Sequence, residues 1–338
     1  MRIGLVLTTL VGVSAAACAS GVSTEQVGVR FPVIYADMDG TLLATVDGRR
    51  EIPKETVDAL RCYQNAGGRW SIATGRTFDQ VRQKIAGLHP DLPLVLFNGA
   101  VRMDPTTHVL LKPEPPRLAS GVVDAVETIA RDWRDDMCSP SPSCIMGLVI
   151  HGATHTVGKP FFSSAVEEGD GKEGSKLWET FLLQGDLRTP DAELPTDDPS
   201  IKVMVVTRDE RHGATDELRN RLKAKIAERL GALGYKDFAI VTSNETVEVM
   251  PPGIDKAVAI ERTIREENIL WRDVLVFGDS GNDIGMIDRG IGVIVLHKEK
   301  VESCHPGACA VAVALVSEPA ALARFIREVA VQGECPVP

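Results

Sequence analysis

Four short stretches of the chain hold side chains that could do chemistry together. The first is Val33-Ile34-Tyr35-Ala36-Asp37-Met38-Asp39-Gly40-Thr41. Its apolar start, rich in β-formers, reads as a buried parallel strand. The strand runs into two acids one residue apart, which would share a face if strand geometry continued. Gly40 lets the backbone turn sharply there. Two carboxylates at the carboxyl end of a central strand lie where open α/β sheets bind ligands. Such a pair can hold a divalent cation, and one member can act as a nucleophile. The other stretches are Ile72-Ala73-Thr74-Gly75-Arg76, Lys256 just after Pro251-Pro252-Gly253, and Gly278-Asp279-Ser280-Gly281-Asn282-Asp283. Thr74 offers a hydroxyl and a backbone N–H at a strand-to-helix junction, a natural seat for an anion. Lys256 offers a compact positive charge at a helix start. Asp279 ends an apolar strand, which sets it beside the Asp37 strand end.

These residues need a scaffold that gathers them. Strands are expected over about 30–37, 70–73, 94–97, 274–277 and 292–296, with helices over about 53–66, 77–88, 256–267, 282–289 and 319–331 between and after them. Strands alternating with helices of this length imply a parallel, doubly wound sheet. The rhythm changes after Ala100. Val101 to Leu111 reads as a hairpin turning at Asp104-Pro105, and Lys112-Pro113-Glu114-Pro115-Pro116 as a stiff link. Helices over about 117–132 and 213–231 then mix with strands at Ile145–Ile150, Ile201–Thr207 and Phe238–Thr242. Residues 163–176 and 184–200, rich in Gly, Asp, Pro and Ser, read as surface loops. Glu245 to Met250 is a strand leading back. The expected organisation is a core from 28–112 and 245–332, interrupted by an α+β insert at 113–244.

Taken together, the four stretches resemble the haloacid dehalogenase superfamily of aspartate-nucleophile phosphatases. Their order and flanking text resemble its Cof-type sugar-phosphatase branch. The resemblance implies a Rossmann-like α/β core with an inserted α+β cap. It implies that Asp37 attacks phosphorus, and that Asp39 protonates the leaving alcohol and then deprotonates the attacking water. Thr74, Gly75 and Lys256 would bind the phosphoryl group. Mg²⁺ would be held by Asp37, the backbone carbonyl of Asp39 and Asp279, with Asp283 as a further acid, bound directly or through water. Asn282 would orient these groups. Arg76, Asn98 and Asn282 are candidates for substrate contact, and Arg76 and Asn98 could equally brace loops. The implied partner is a small phosphorylated metabolite such as a sugar phosphate. Two other readings stay open: a phosphomutase, and a non-catalytic phospholigand-binding protein. The match departs from the family after Leu296, where His297-Lys298-Glu299-Lys300 replaces a Met-Gly-Asn-Ala-like turn. His151 and His155 lie in the cap and could reach a leaving group.

Composition sets outer bounds. The chain has 338 residues, enough for two domains. Its net charge of −10 argues against nucleic acid as a partner. An anionic substrate must then be drawn in by local positive charge. No apolar run reaches the roughly 20 residues of a membrane span. Residues 1–20 read as an export signal, with Arg2, an apolar run and Ala15-Ala16-Ala17 before Cys18. Cys18 also stands where a bacterial lipoprotein would carry its lipid anchor. The protein is therefore expected outside the cytoplasm if that signal is genuine. Of seven cysteines, Cys138 with Cys144 and Cys304 with Cys309 bound short Pro- and Gly-containing loops that suit disulfides in an oxidising compartment. Cys62 and Cys335 are left to pair or to remain buried thiols.

Overall fold

The structure is a computed structural model that describes residues 28–46, 49–137, 145–152, 156–161, 200–207, 215–242, 246–295, 314–316 and 319–332. Residues 1–20, His155, the two proposed cysteine pairs, the loop stretches 163–176 and 184–199, and residues 297–300 lie outside the described residues. So do all cysteines except Cys62, which is disulfide-bonded and buried.

Alternation along the strands builds the core. Strand β2 (Val33–Ala36) is buried along its whole length. Ile34 and Ala36 face one side, where they pack with helices α1 (Lys54–Asn65) and α7 (Pro319–Phe325). Val33 and Tyr35 face the other, against α5 (Lys256–Glu266) and α6 (Ile284–Arg289). A strand apolar on both faces belongs in the middle of a parallel sheet covered on both sides. Accordingly β2 lies between β5 (Arg69–Ile72) and β13 (Val274–Gly278), with β14 (Ile291–Val295) and β15 (Ala314–Val316) beyond, all parallel. The short β1 (Gly28–Val29) pairs with β16 (Val331–Gln332). This is a doubly wound α/β core.

A second sheet forms the cap. Its order is β11 (Ala239–Thr242), β12 (Thr246–Met250), β10 (Lys202–Thr207), β8 (Ile145–His151) and β9 (Thr156–Pro160), all antiparallel. One face, with Leu148, Ile150, Val203, Val205, Val247 and Val249, packs on α3 (Val122–Met137) and α4 (Thr215–Ala232). Alternation puts Val149, His151, Lys202, Met204, Thr246 and Glu248 on the other. Among the described residues no helix is long and apolar enough to cross a membrane.

Four sequence expectations change. The strand expected to lead back into the core from Glu245 is β12, which pairs with β10 and β11 in the cap sheet, so the core resumes after Met250. The helix expected over 77–88 is regular only in α2 (Phe78–Val81). Beyond it the hydrogen bonds mix three- and four-residue spans, and Gly87 turns to φ +78. The strand expected at 94–97 is β6 (Leu94–Leu96), which pairs antiparallel with β7 (Val101–Met103). A single bridge, Ala73 to Val95, links it to the parallel sheet. The acid-bearing turn is followed by an unforeseen hairpin of β3 (Ala44–Val46) and β4 (Arg49–Glu51). Leu60, fully buried in α1, is remote in sequence from the four stretches. Leu60→Ala should lower unfolding free energy by about 2–5 kcal/mol with an unchanged denaturant slope. A loss under about 1 kcal/mol in urea titration would contradict this packing.

Candidate active site

Asp37 continues β2 by one residue, its N–H donating to the Phe277 carbonyl of β13 at 2.9 Å. This pairing carries the ends of β2 and β13, and so Asp37 and Asp279, to the same edge of the sheet. The chain then turns tightly, with the Leu43 N–H donating to the Met38 carbonyl at 2.8 Å. Gly40 sits in the left-handed region at φ +80, and a Cβ there would lie 2.1 Å from Asp279 Oδ2. Backbone conformation and the approach of a carboxylate both require glycine at this position.

Asp283 holds the next loop. Its Oδ2 accepts from the N–H groups of Asp279 and Ser280, each at 3.1 Å. Its Oδ1 accepts from Lys256 Nζ at 2.7 Å. Lys256 Nζ also donates to Asp37 Oδ1 at 2.7 Å, and the lysine is fully buried. The start of α5 is fixed by Asp255, whose carboxylate caps the Ala257 N–H at 2.6 Å. Asp37, Asp279 and Asp283 each offer an oxygen, all within 4.8 Å of one another. An all-oxygen set of three acids suits a hard divalent cation.

The remaining candidates mostly brace this centre. The Thr74 N–H, offered to an anion by the sequence, instead donates to the Val95 carbonyl at 2.9 Å. Pairing at the end of β5 takes that donor. The Thr74 hydroxyl accepts from the Arg76 N–H at 3.2 Å and keeps its own proton to give. Gly75 lies against Asn98, where a Cβ would be 3.0 Å from Oδ1. Asn98 Oδ1 accepts from Asn282 Nδ2 at 3.0 Å, joining two strand-end loops. Arg76 grips Asp39 with Nε to Oδ2 at 2.7 Å and Nη2 to Oδ1 at 2.9 Å. Arg50 of β4, missed in the sequence, also reaches Asp39 Oδ1 at 2.8 Å. The signal for it was Asp47-Gly48, a dipeptide favoured in two-residue hairpin loops.

In the cap, His151 is buried. Its ring meets Phe97 edge-on at 5.6 Å between centroids, and its nitrogens engage Thr156 Oγ1 and Met204 Sδ. Burial, with Lys202 adding to it, holds its imidazole well below the usual range, hence neutral. Lys202 pairs with Glu248 at 3.1 Å, both nearly buried.

A family model described as haloacid dehalogenase-like hydrolase matches residues 34–118 and 170–298. The chain is a haloacid dehalogenase-like hydrolase. The hydrolase is 26% identical over 266 residues to the HMP-PP phosphatase of Cronobacter sakazakii, covering 77% of this chain and 82% of the relative. Its fold matches a haloacid dehalogenase-like hydrolase of Bacteroides thetaiotaomicron with a TM-score of 0.66 at 16% identity, over 88% of this chain and 98% of the other. A haloacid dehalogenase-like hydrolase from B. subtilis gives 0.60 at 17% identity, over 88% and 99%.

Burial pushes the Asp37 carboxyl of this hydrolase up to about 8; Lys256 opposes the shift, and the Asp283 and Asp279 charges reinforce it. At neutral pH the cation-free site therefore keeps a proton on Asp37, which an incoming cation must displace. Affinity for a divalent cation should rise as pH climbs from 6 towards about 8 and level off above. Calorimetry in buffers of different ionisation enthalpy should also record proton release below about 8. Affinity independent of pH would contradict the assignment.

Proposed function

We propose that this hydrolase is a Mg²⁺-dependent phosphomonoesterase of the Cof-type branch, acting through an aspartyl-phosphate on Asp37. The substrate is a small phosphorylated metabolite, such as a sugar phosphate. We take 28–112 and 251–332 as the catalytic core and 113–250, which includes the cap strand β12, as the cap that meets the leaving group. The carrying observation is the convergence of buried Asp37, Asp283 and Lys256 with half-buried Asp279 in one cluster at the carboxyl ends of parallel strands. The name of the Cronobacter sakazakii relative supports the same reaction class.

The fit to Mg²⁺ rests on the three carboxylates. Bound there, the ion would neutralise charge so that one anion can approach another. The residues do the rest. Asp37 attacks phosphorus, splitting one difficult displacement into two easier ones. Lys256 and the Thr74 hydroxyl hold the phosphoryl oxygens as charge builds on them. Asp39 gives a proton to the leaving alcohol, then takes one from the water that frees Asp37. Partial burial alone would raise the Asp39 carboxyl, but its hydrogen bonds to Arg76, with the charges of Arg76 and Arg50, hold it below the usual range. Those contacts favour the carboxylate, the form that accepts the proton of water.

Asp37→Asn should abolish turnover, since a carboxamide is a far weaker nucleophile and a poorer ligand. Asp39→Asn should lose proton transfer, typically worth about 10²–10⁴-fold. With p-nitrophenyl phosphate, whose leaving group needs little help, Asp39→Asn should still form phospho-Asp37 and hydrolyse it slowly. Mass spectrometry should then find the label on Asp37. Label on a Ser or His, or identical behaviour of the two variants, would refute the roles.

A further inference from the structure

Directly after β6, Phe97, Asn98 and Gly99 have positive φ in succession, at +50, +57 and +105. Glycine takes such values freely and asparagine tolerates them. For a ring-bearing residue the left-handed region is strained, and such strain persists only where the surroundings impose it. The loop that carries this strain is also where the active-site stretches meet. The Phe97 N–H donates to the Arg76 carbonyl at 3.1 Å, and the Asn98 N–H to the Thr74 carbonyl at 2.8 Å. The Asn98 side chain accepts from Asn282 at 3.0 Å, beside Asp283. Gly99 lies against the start of α5, where a Cβ would be 2.3 Å from the Asp255 carbonyl oxygen and 3.0 Å from the Lys256 nitrogen. Three of the four stretches therefore touch residues 97–99, and their mutual spacing is only as fixed as that backbone.

The cap supplies a constraint on Phe97. The rings of Phe97 and His151, both buried, meet at 70°. The His151 ring cannot turn freely, because its two nitrogens engage Thr156 Oγ1 at 2.9 Å and Met204 Sδ at 3.0 Å. The His151 carbonyl accepts from the Ile201 N–H at 2.8 Å. Ile201, although a cap residue, belongs to the same buried apolar cluster as Phe97. A fixed cap ring and a cap aliphatic side chain thus share the packing around the strained residue.

We propose that Phe97 is a positioning residue through which the seated cap, by way of His151, holds the loop that spaces Thr74, Lys256 and Asn282. This rests on the reading of the site as a phosphoryl-transfer centre. With the His151 ring in place, Phe97 keeps its left-handed backbone and Asn98 reaches Asn282. Without that ring, Phe97 relaxes towards an ordinary conformation and draws Asn98 away. The catalytic spacing is then complete only beneath a seated cap. The dependence lies in the Phe97 backbone, so a residue that adopts positive φ unaided should remove it.

The test is a double-mutant cycle read as kcat and KM for p-nitrophenyl phosphate with Mg²⁺. It compares the parent, His151→Ala, Phe97→Gly and the double variant, with Phe97→Ala beside them, each assayed below its own melting transition. His151→Ala should lower kcat about tenfold, the scale of one strained backbone position, with KM nearly unchanged. In the Phe97→Gly background the same change should cost less than about twofold. Phe97→Ala, which loses the ring but keeps the strain, should be slower than Phe97→Gly. Equal losses from His151→Ala in both backgrounds overturn the positioning role, as does Phe97→Ala matching or exceeding Phe97→Gly. A rise in KM with kcat unchanged overturns it too, by making His151 a contact for the substrate. Should His151→Ala fail to fold, the comparison of Ala with Gly at position 97 decides alone. A parent that does not turn over the ester sinks the phosphomonoesterase reading. Turnover in the parent with an additive cycle sinks only the inference about Phe97.

Discussion

The Lys256 ammonium, fully buried between Asp37 and Asp283, is the contact on which the rest of the site depends. Burial alone would strip its proton, but the two acids outweigh burial and hold its affinity above the ordinary lysine range. One positive charge does not balance three neighbouring acids. Buried charge without a partner is costly, so the cluster is completed by a dication or relieved by a proton on Asp37. That choice links cation affinity to pH. It also explains the small residues around the cluster. At Gly278 a Cβ would fall 2.5 Å from Asp283 Cβ, and at Gly99 2.3 Å from the Asp255 carbonyl that precedes Lys256. The backbone is pared down where charges must meet.

Much of this was legible in the sequence because each motif is local. An apolar strand running into Asp37 or Asp279 declares both its burial and its ligand-bearing end. Strand alternation assigns Ile34 and Val33 to opposite helical layers without any knowledge of partners. What was hidden depends on contacts distant in sequence. The Thr74 N–H is taken by Val95, and Asn98 is tied to Asn282 across 184 positions. Whether Arg76 touches substrate or braces a loop could not be decided from its position. Its two bonds tie it to Asp39 across 37 positions. The β3–β4 hairpin carried a readable turn signal, but nothing local tied Arg50 to Asp39. Likewise β6 reads as one more parallel strand until its antiparallel pairing with β7 is seen.

The cap follows the same division. Its helical face is a conventional apolar layer. The opposite face combines burial with polarity: Lys202 with Glu248, Thr246 with Glu248 Oε1 at 3.0 Å, and a neutral His151 against Phe97. Phe97 precedes Asn98, so this contact brings the cap sheet to the loop that flanks Thr74. A buried ion pair gives little net stability. Its presence gives this face defined polar geometry where an all-apolar sheet would offer none.

The most direct measurement is a crystal structure with Mg²⁺ and beryllium trifluoride, a mimic of a carboxylate-bound phosphoryl group. The expected result is beryllium on an Asp37 oxygen, the cation held among Asp37, Asp279 and Asp283, and Lys256 Nζ moved from the Asp37 carboxylate onto a fluorine. Beryllium fluoride bound elsewhere, or Lys256 still bridging Asp37 and Asp283 with no cation between the acids, would contradict the central role of that buried cluster.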